Sequence, residues 1–273
     1  MEEKWKIRSL RDNKMKKQRL FILRFEYLVI LYIFFCPNML YANDNLLCTT
    51  YNTTSEDVAS YPKFVWQNKD YAAGALVLIG GSLLIDKSVR TYVINHQNNT
   101  AKNLADDIKP FGNGYLMFPA VSILSLYGYL TDNATLVDAS LTSLESGAVA
   151  GIITLGLKSI VGRERPDHTS SNLTFKPFNI NNTDSSFPSG EATVAWSMIT
   201  PYAVYYHEPL LYTIPVLVDF ERIYKNKHWT SDVITGSVIG FSVGYLFSEN
   251  HLKLSKTVSF ETDGRDIVLN VRF

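Results

Sequence analysis

Leu136-Val-Asp-Ala-Ser-Leu-Thr-Ser-Leu-Glu-Ser-Gly-Ala-Val-Ala-Gly-Ile-Ile-Thr-Leu-Gly-Leu157 is a long apolar stretch free of proline. It runs straight into Lys158-Ser-Ile-Val-Gly-Arg-Glu-Arg165-Pro166. A run of this length is helical, and Gly147, Ala148, Ala150 and Gly151 let a neighbouring helix come close. Asp138 and Glu145 are costly inside such a helix unless they face a bundle interior. Five further apolar segments of helical length surround it, at 71–85, 115–130, 191–206, 209–221 and 231–248. Small residues recur in the last (Gly236, Ser237, Gly240, Gly244), and proline or polar clusters separate the segments at 110–114, 166–188 and 207–209. The expected fold is an all-α bundle of six helices.

The ends of the chain read differently. Lys14, Lys16, Lys17 and Arg19, an apolar run from Tyr27 to Cys36, Pro37 and Leu40-Tyr41-Ala42 have the layout of a signal peptide, with a cut after Ala42. Met15 is an alternative start, and a retained anchor is the competing reading. Residues 43–70, rich in Asn and Thr, are expected to be an irregular lead-in. Thr257–Glu261 and Asp266–Phe273 alternate apolar and polar residues around Asp263-Gly264, the pattern of a short C-terminal β-hairpin. The expected division is therefore 1–42 signal peptide, 43–70 lead-in, 71–250 helical domain, and 251–273 hairpin or tail.

Composition narrows the function. The 273 residues are 46% hydrophobic and 19% charged, with no formal net charge, so no basic field invites nucleic acid. There are two cysteines, and Cys36 lies in the leader, which leaves Cys48 without an intramolecular partner in the processed chain. No metal-ligand spacing appears, and His207-Glu208 lacks the second histidine of a zinc-protease motif. The bundle is either membrane-inserted or an exported bundle with an apolar core. If all six segments cross, loops 86–114, 158–190 and 221–230 share one side and both chain ends share the other. A cleaved leader would then turn those loops toward the cytoplasm, unless one segment does not cross or the bundle attaches only peripherally.

Three short stretches carry chemistry. Lys158 and Arg165 are two helical turns apart, so on a continuing helix both point the same way. Such a pair can hold an anion, and guanidinium suits phosphate. Alternatively the run, Arg163 included, is a solvated basic helix end. Phe187-Pro188-Ser189-Gly190 precedes an apolar run, with Ser189 as an N-cap and Gly190 allowing a ligand close to the free N–H groups. An ordinary capped helix start is the plainer reading. In Arg222-Ile-Tyr-Lys-Asn-Lys-His228-Trp-Thr-Ser-Asp232, His228 and Asp232 are four apart, so Asp232 can accept from one imidazole nitrogen and leave the other unprotonated. Arg222 would be a third cation.

These stretches resemble the signature of the type 2 phosphatidic acid phosphatase (PAP2) and vanadium haloperoxidase superfamily: KxxxxxxRP, then PSGH, then SRxxxxxHxxxD. Lys158…Arg165-Pro166 fits the first block. Pro188-Ser189-Gly190 fits the second, with Glu191 in place of its histidine. Arg222…His228…Asp232 fits the third, with Glu221 in place of its serine. The resemblance implies a metal-independent, cofactor-free phosphatase acting on a phosphorylated lipid at a membrane. His228 would attack phosphorus and form a phosphohistidine, Asp232 would orient it, and Lys158, Arg165, Arg222, Ser189 and the Gly190 N–H would hold the phosphoryl oxygens. The family histidine protonates the leaving group; Glu191 can do so only if it carries a proton. The alternatives are a lipid-phosphate binder without turnover and a vanadate-dependent haloperoxidase.

Overall fold

The computed structural model describes residues 44–178, 185–262 and 267–271. The leader expected over 1–42 lies outside them. One compact unit spans Tyr51–Phe273; of the other, Met1–Thr50, only the first residues of a helix are described. The helices are α1 Asp44–Gln67, α2 Lys69–Asn95, α3 Asn99–Ile108, α4 Gly114–Leu130, α5 Ala134–Val161, α6 Gly190–Tyr205, α7 Thr213–Tyr224 and α8 Thr230–Thr257. Strands β1 Val258–Thr262 and β2 Ile267–Val271 pair antiparallel, Val258 opposite Val271.

The six apolar segments are the cores of α2 and α4–α8, but two more helices accompany them among the described residues. Residues 44–67, read as an irregular lead-in, are helical. Tertiary contacts outweigh the Asn- and Thr-rich composition there: Tyr61 and Phe64 pack on Ala150, Val243, Leu246 and Phe247, and the Tyr61 hydroxyl bonds Ser242 Oγ at 2.8 Å. The loop 86–114 contains α3, capped by Asn98, whose side chain accepts from the Ala101 N–H at 2.8 Å. It buries Ala105 and Ile108, the latter in a cluster with Ala195 and Val218. At the other end α8 continues to Thr257, past the boundary expected at 250.

The closest packing is between α6 and α8. A Cβ placed on Gly236 would lie 2.4 Å from the Ser189 carbonyl oxygen, and one on Gly240 would lie 2.4 Å from that of Thr193. On Gly244 it would lie 2.9 Å from that of Ser197. These three glycines, four residues apart on one face of α8, form the groove that seats α6. Outside, the bundle is apolar. Tyr71, Leu76, Val77, Leu78 and Leu84 of α2 and Ile123, Tyr127, Tyr129 and Leu130 of α4 are exposed. Among the described residues two helices, α2 and α5, are long and apolar enough to cross a membrane.

Substitution tests this packing. Gly240→Ala should cost about 1–3 kcal/mol, because backbone must move. Gly74→Ala, with nothing within 4 Å of the added Cβ, should be neutral or stabilise by up to about 1 kcal/mol. Thermal unfolding of the detergent-solubilised variants measures both.

Candidate active site

The three motif stretches meet at one end of the bundle, stitched by backbone hydrogen bonds. Ser186 N–H donates to the Arg163 carbonyl at 2.6 Å, and Ser189 N–H to the Asp232 carbonyl at 2.9 Å. Lys158 Nζ donates to the Ser185 carbonyl at 2.9 Å, and Arg165 Nη1 to the Lys227 carbonyl at 3.2 Å.

Lys158 and Arg165 do not share a helix as their spacing suggests. α5 ends at Val161, and Gly162 adopts a left-handed conformation, φ 58°, that closes it. A Cβ there would fall 1.9 Å from the Lys176 carbonyl oxygen, so only glycine fits. Beyond it the chain is extended, with Glu164 N–H donating to the Thr174 carbonyl at 2.9 Å and Lys176 N–H to the Gly162 carbonyl at 2.8 Å. Arg165 reaches the site from this segment and Lys158 from the last turn of α5.

Ser189 caps α6 as its sequence suggests; its hydroxyl accepts from the Ala192 N–H, a long contact at 3.4 Å. A Cβ on Gly190 would lie 3.6 Å from Lys158 Cε, so the lysine lies along the open N-terminus of α6. Glycine, free N–H groups and a cation there form an anion cradle.

His228 is 3% exposed and precedes α8, which begins at Thr230, so the spacing argument for one helical face does not apply. Its Nδ1 lies 2.7 Å from the Ser186 carbonyl and 3.9 Å from Asp232 Oδ2. Asp232 is therefore not its direct partner. A carbonyl can only accept, so Nδ1 carries the proton and Nε2 is left with its lone pair. Burial first, then Arg165, Lys158 and Arg222, hold the imidazole well below its usual 6.5, with the Ser186 bond a smaller opposing effect.

Asp232 positions this histidine through intermediaries. Its Oδ2 accepts from Ser186 Oγ at 2.5 Å and from the Trp229 N–H at 2.9 Å, which fixes both neighbours of the imidazole. Its Oδ1 accepts from Arg163 Nη1 at 2.6 Å. Arg163 is the main surprise. Far from lying on a solvated face, it is 1% exposed, and Nη2 also donates to Asp86 Oδ2 at 2.7 Å. Nε and Nη2 bond the Asn172 carbonyl at 2.9 and 2.6 Å, and Ser231 Oγ accepts from Nη1 at 2.7 Å while donating to Asp86 Oδ2 at 2.7 Å. Asp86, Ser186, Ser231 and Asn172 were not singled out in the sequence. One signal was available for Asp86, a carboxylate directly after the apolar segment 71–85 and within the same helix.

Arg222, expected to face phosphate, is gripped by carboxylates. Nη1 pairs with Glu191, and Nε and Nη2 pair with Glu221. These two glutamates are the two departures from the family pattern, and both are spent on one arginine. Glu221 is 1% exposed; Glu191 is one-third exposed at the start of α6.

A buried histidine with one bare nitrogen, beside Lys158, Arg165, Arg222 and an open helix N-terminus, has the chemistry to receive an anion. Residues 139–256 match the PAP2 superfamily, a span that holds all three stretches. The resemblance read from the three stretches and the family match fall on the same part of the chain. Among its relatives is lipid A 1-phosphatase of Porphyromonas gingivalis, 30% identical over 110 residues, 38% of this chain and 22% of that protein. Lipid A 1-phosphatase of Rhizobium johnstonii is 28% identical over 95 residues, 33% and 39%. The chain thus spans between a fifth and two-fifths of the length of these two. Undecaprenyl-diphosphatase of Sulfolobus acidocaldarius is 26% identical over 184 residues, 62% of this chain and 81% of that one. The crystal structure of the transmembrane PAP2 type phosphatidylglycerolphosphate phosphatase from Bacillus subtilis shares the fold, with TM-score 0.53 and 18% identity over 67% of this chain and 96% of that one.

The Arg163 network makes a specific demand on stability. Arg163→Ala strands two buried carboxylates, Asp86 and Asp232, and should cost about 3–5 kcal/mol, read as a lowered unfolding midpoint in detergent.

Proposed function

We propose that this protein is a metal-independent phosphatase that hydrolyses a lipid phosphate monoester or diphosphate through a phosphohistidine. The observation that carries this reading is His228: buried, committed through Nδ1–H to a carbonyl with Nε2 left bare, and surrounded by Lys158, Arg165 and Arg222. Nε2 attacks phosphorus, the bond to the leaving oxygen breaks, and that oxygen takes a proton. Water then attacks the phosphohistidine and releases inorganic phosphate and the free histidine. Lys158, Arg165, the Ser189 cap and the Gly190 N–H hold the phosphoryl oxygens, while Asp232 keeps Ser186 and Trp229 in place around the imidazole. Glu191 is the proton donor. Its neighbour Arg222 favours the ionised form, so the donor works only while a proton from solvent or substrate reaches it. The names of the relatives point to phosphorylated lipids, and the apolar exterior suits a substrate drawn from a bilayer.

A second reading, a lipid-phosphate binder without turnover, is favoured by the grip of Glu191 and Glu221 on Arg222. Phosphate release from lipid and soluble monoesters in chelator separates the two. The phosphatase reading expects release by the wild type, loss of at least about 10³-fold in His228→Ala, and about 10²-fold or more in Glu191→Gln. It also expects the acid limb of kcat/KM to fall below 6.5, since a lowered imidazole pKa keeps Nε2 free as pH drops. No release by the wild type, with release gained in Glu191→His/Glu221→Ser, would establish the binder. Halide oxidation with added vanadate would establish the haloperoxidase.

We place the bundle in a membrane with the active site on the periplasmic side. Asp57 lies beside His251 near the end of α8, and the motif stretches lie at its start, so residue 57 and the site are at opposite ends of the bundle. With the bundle inserted, this placement sets Asp57 and the C-terminal end of α8 on the cytoplasmic side. Export by a leader cleaved after Ala42 would instead require a bundle that attaches without crossing. Reporter fusions after residues 65, 100 and 270 should read inside, outside and inside; the reverse pattern refutes the placement.

A further inference from the structure

At the end of the bundle away from the active site, three residues far apart in sequence converge: Asp57 of α1, Glu145 of α5 and His251 of α8. Their ligand atoms all lie within 4.8 Å of one another. His251 Nε2 is 3.0 Å from Asp57 Oδ2 and 3.6 Å from Glu145 Oε2. About 19 residues of α8, roughly 28 Å, separate this cluster from Asp232, so it takes no part in the chemistry at His228.

The hydrogen bonds around the cluster orient it. The Thr142 hydroxyl donates to the Asp138 carbonyl at 2.8 Å, so its oxygen is free to accept from His251 Nδ1 at 3.0 Å. Tyr205 OH lies 3.2 Å from the same oxygen. With Nδ1–H directed at Thr142, Nε2 is the nitrogen presented to both carboxylates. Asp57 is held from behind, with Oδ1 accepting from Asn250 Nδ2 at 2.7 Å. An imidazole fixed through one nitrogen, and a carboxylate fixed through its outer oxygen, are what a metal site requires of its ligands. Glu145 supplies the independent sign. Its side chain is 9% exposed, and its Oε2 faces His251 with no hydrogen-bond partner. A carboxylate oxygen at that depth needs a cation or a donor.

We propose that Asp57, Glu145 and His251 bind one divalent transition-metal ion of the zinc class, which joins α1, α5 and α8. One imidazole and two carboxylates suit Zn²⁺, with ligands at about 2.0–2.2 Å; His251 Nε2, 3.0 and 3.6 Å from the two carboxylate oxygens, can share such an ion with both, all three ligand atoms lying within 4.8 Å of one another. The ion would neutralise the two acids and tie α1 to α5 and α8.

The test uses the full chain in detergent, stripped with chelator and titrated with Zn²⁺, with bound metal counted by elemental analysis and affinity by calorimetry. The wild type and His228→Ala should each bind one Zn²⁺ per chain. Glu145→Gln and His251→Gln should bind at least about tenfold more weakly, and only the first two should show visible Co²⁺ bands of a nitrogen–oxygen site. Absence of tight zinc from the wild type overturns the proposal even if the variants fail to fold. So does unchanged binding in folded Glu145→Gln and His251→Gln, which would put the metal elsewhere and leave the cluster an imidazolium–carboxylate pair.

Discussion

The site depends on the burial of one carboxylate. Asp232 is 0% exposed, and it stays there because Arg163, Ser186 Oγ and the Trp229 N–H all donate to it. Each donor reaches a different part of the fold. Arg163 ties the segment after α5 to α2 through Asp86; Ser186 ties in the turn before α6; Trp229 is the step into α8. A buried ion pair of this kind contributes little net stability over an apolar replacement, but it is severe on any variant that removes one partner. Its value here is positional. The Ser186 carbonyl that accepts from His228 Nδ1–H belongs to the residue whose hydroxyl is anchored on Asp232, so backbone and side chain are set together.

The same logic explains how the two glutamates fit a pocket designed around cations. Burial first, then Arg165, Lys158 and Arg222, depress the His228 pKa, which keeps Nε2 free of a proton. Glu191 and Glu221 offset one of those three charges without touching the other two, because both bind Arg222. On the proposed function, phosphate would compete with carboxylates for Arg222 but not for Lys158 or Arg165, whose hydrogen bonds go to backbone carbonyls. Two acidic replacements on one arginine form a unit, so their effects on activity will be non-additive.

Much of this was legible in the sequence where periodicity or local chemistry decides. The apolar helices, the Ser189 cap and the three stretches that meet at one end of the bundle could be read from patterns of a few residues. The errors share one cause: contacts made over long sequence distances. Helix α1 draws its stability from α5 and α8, which its own composition does not reveal. Gly162 breaks a helix that the Lys158–Arg165 spacing seemed to extend, because the Lys176 carbonyl occupies the place of a side chain. Arg163 looked like one of several basic residues at a helix end, and its partners Asp86 and Asp232, 77 and 69 positions away, make it a buried keystone. The direct His228–Asp232 bond failed because α8 starts two residues too late for helical geometry to apply. Asp57, Glu145 and His251 have no common motif at all, so a search for metal-ligand spacing cannot find them.

The central claim is that His228 is the nucleophile, and trapping the intermediate tests it most directly. Wild-type protein should be mixed with a phosphorylated lipid, quenched in base within a turnover, digested and mapped by mass spectrometry. The account predicts an acid-labile phosphoryl adduct on the peptide carrying His228, absent from His228→Ala. Steady phosphate release with no adduct at His228, or with the adduct on another residue, would contradict it.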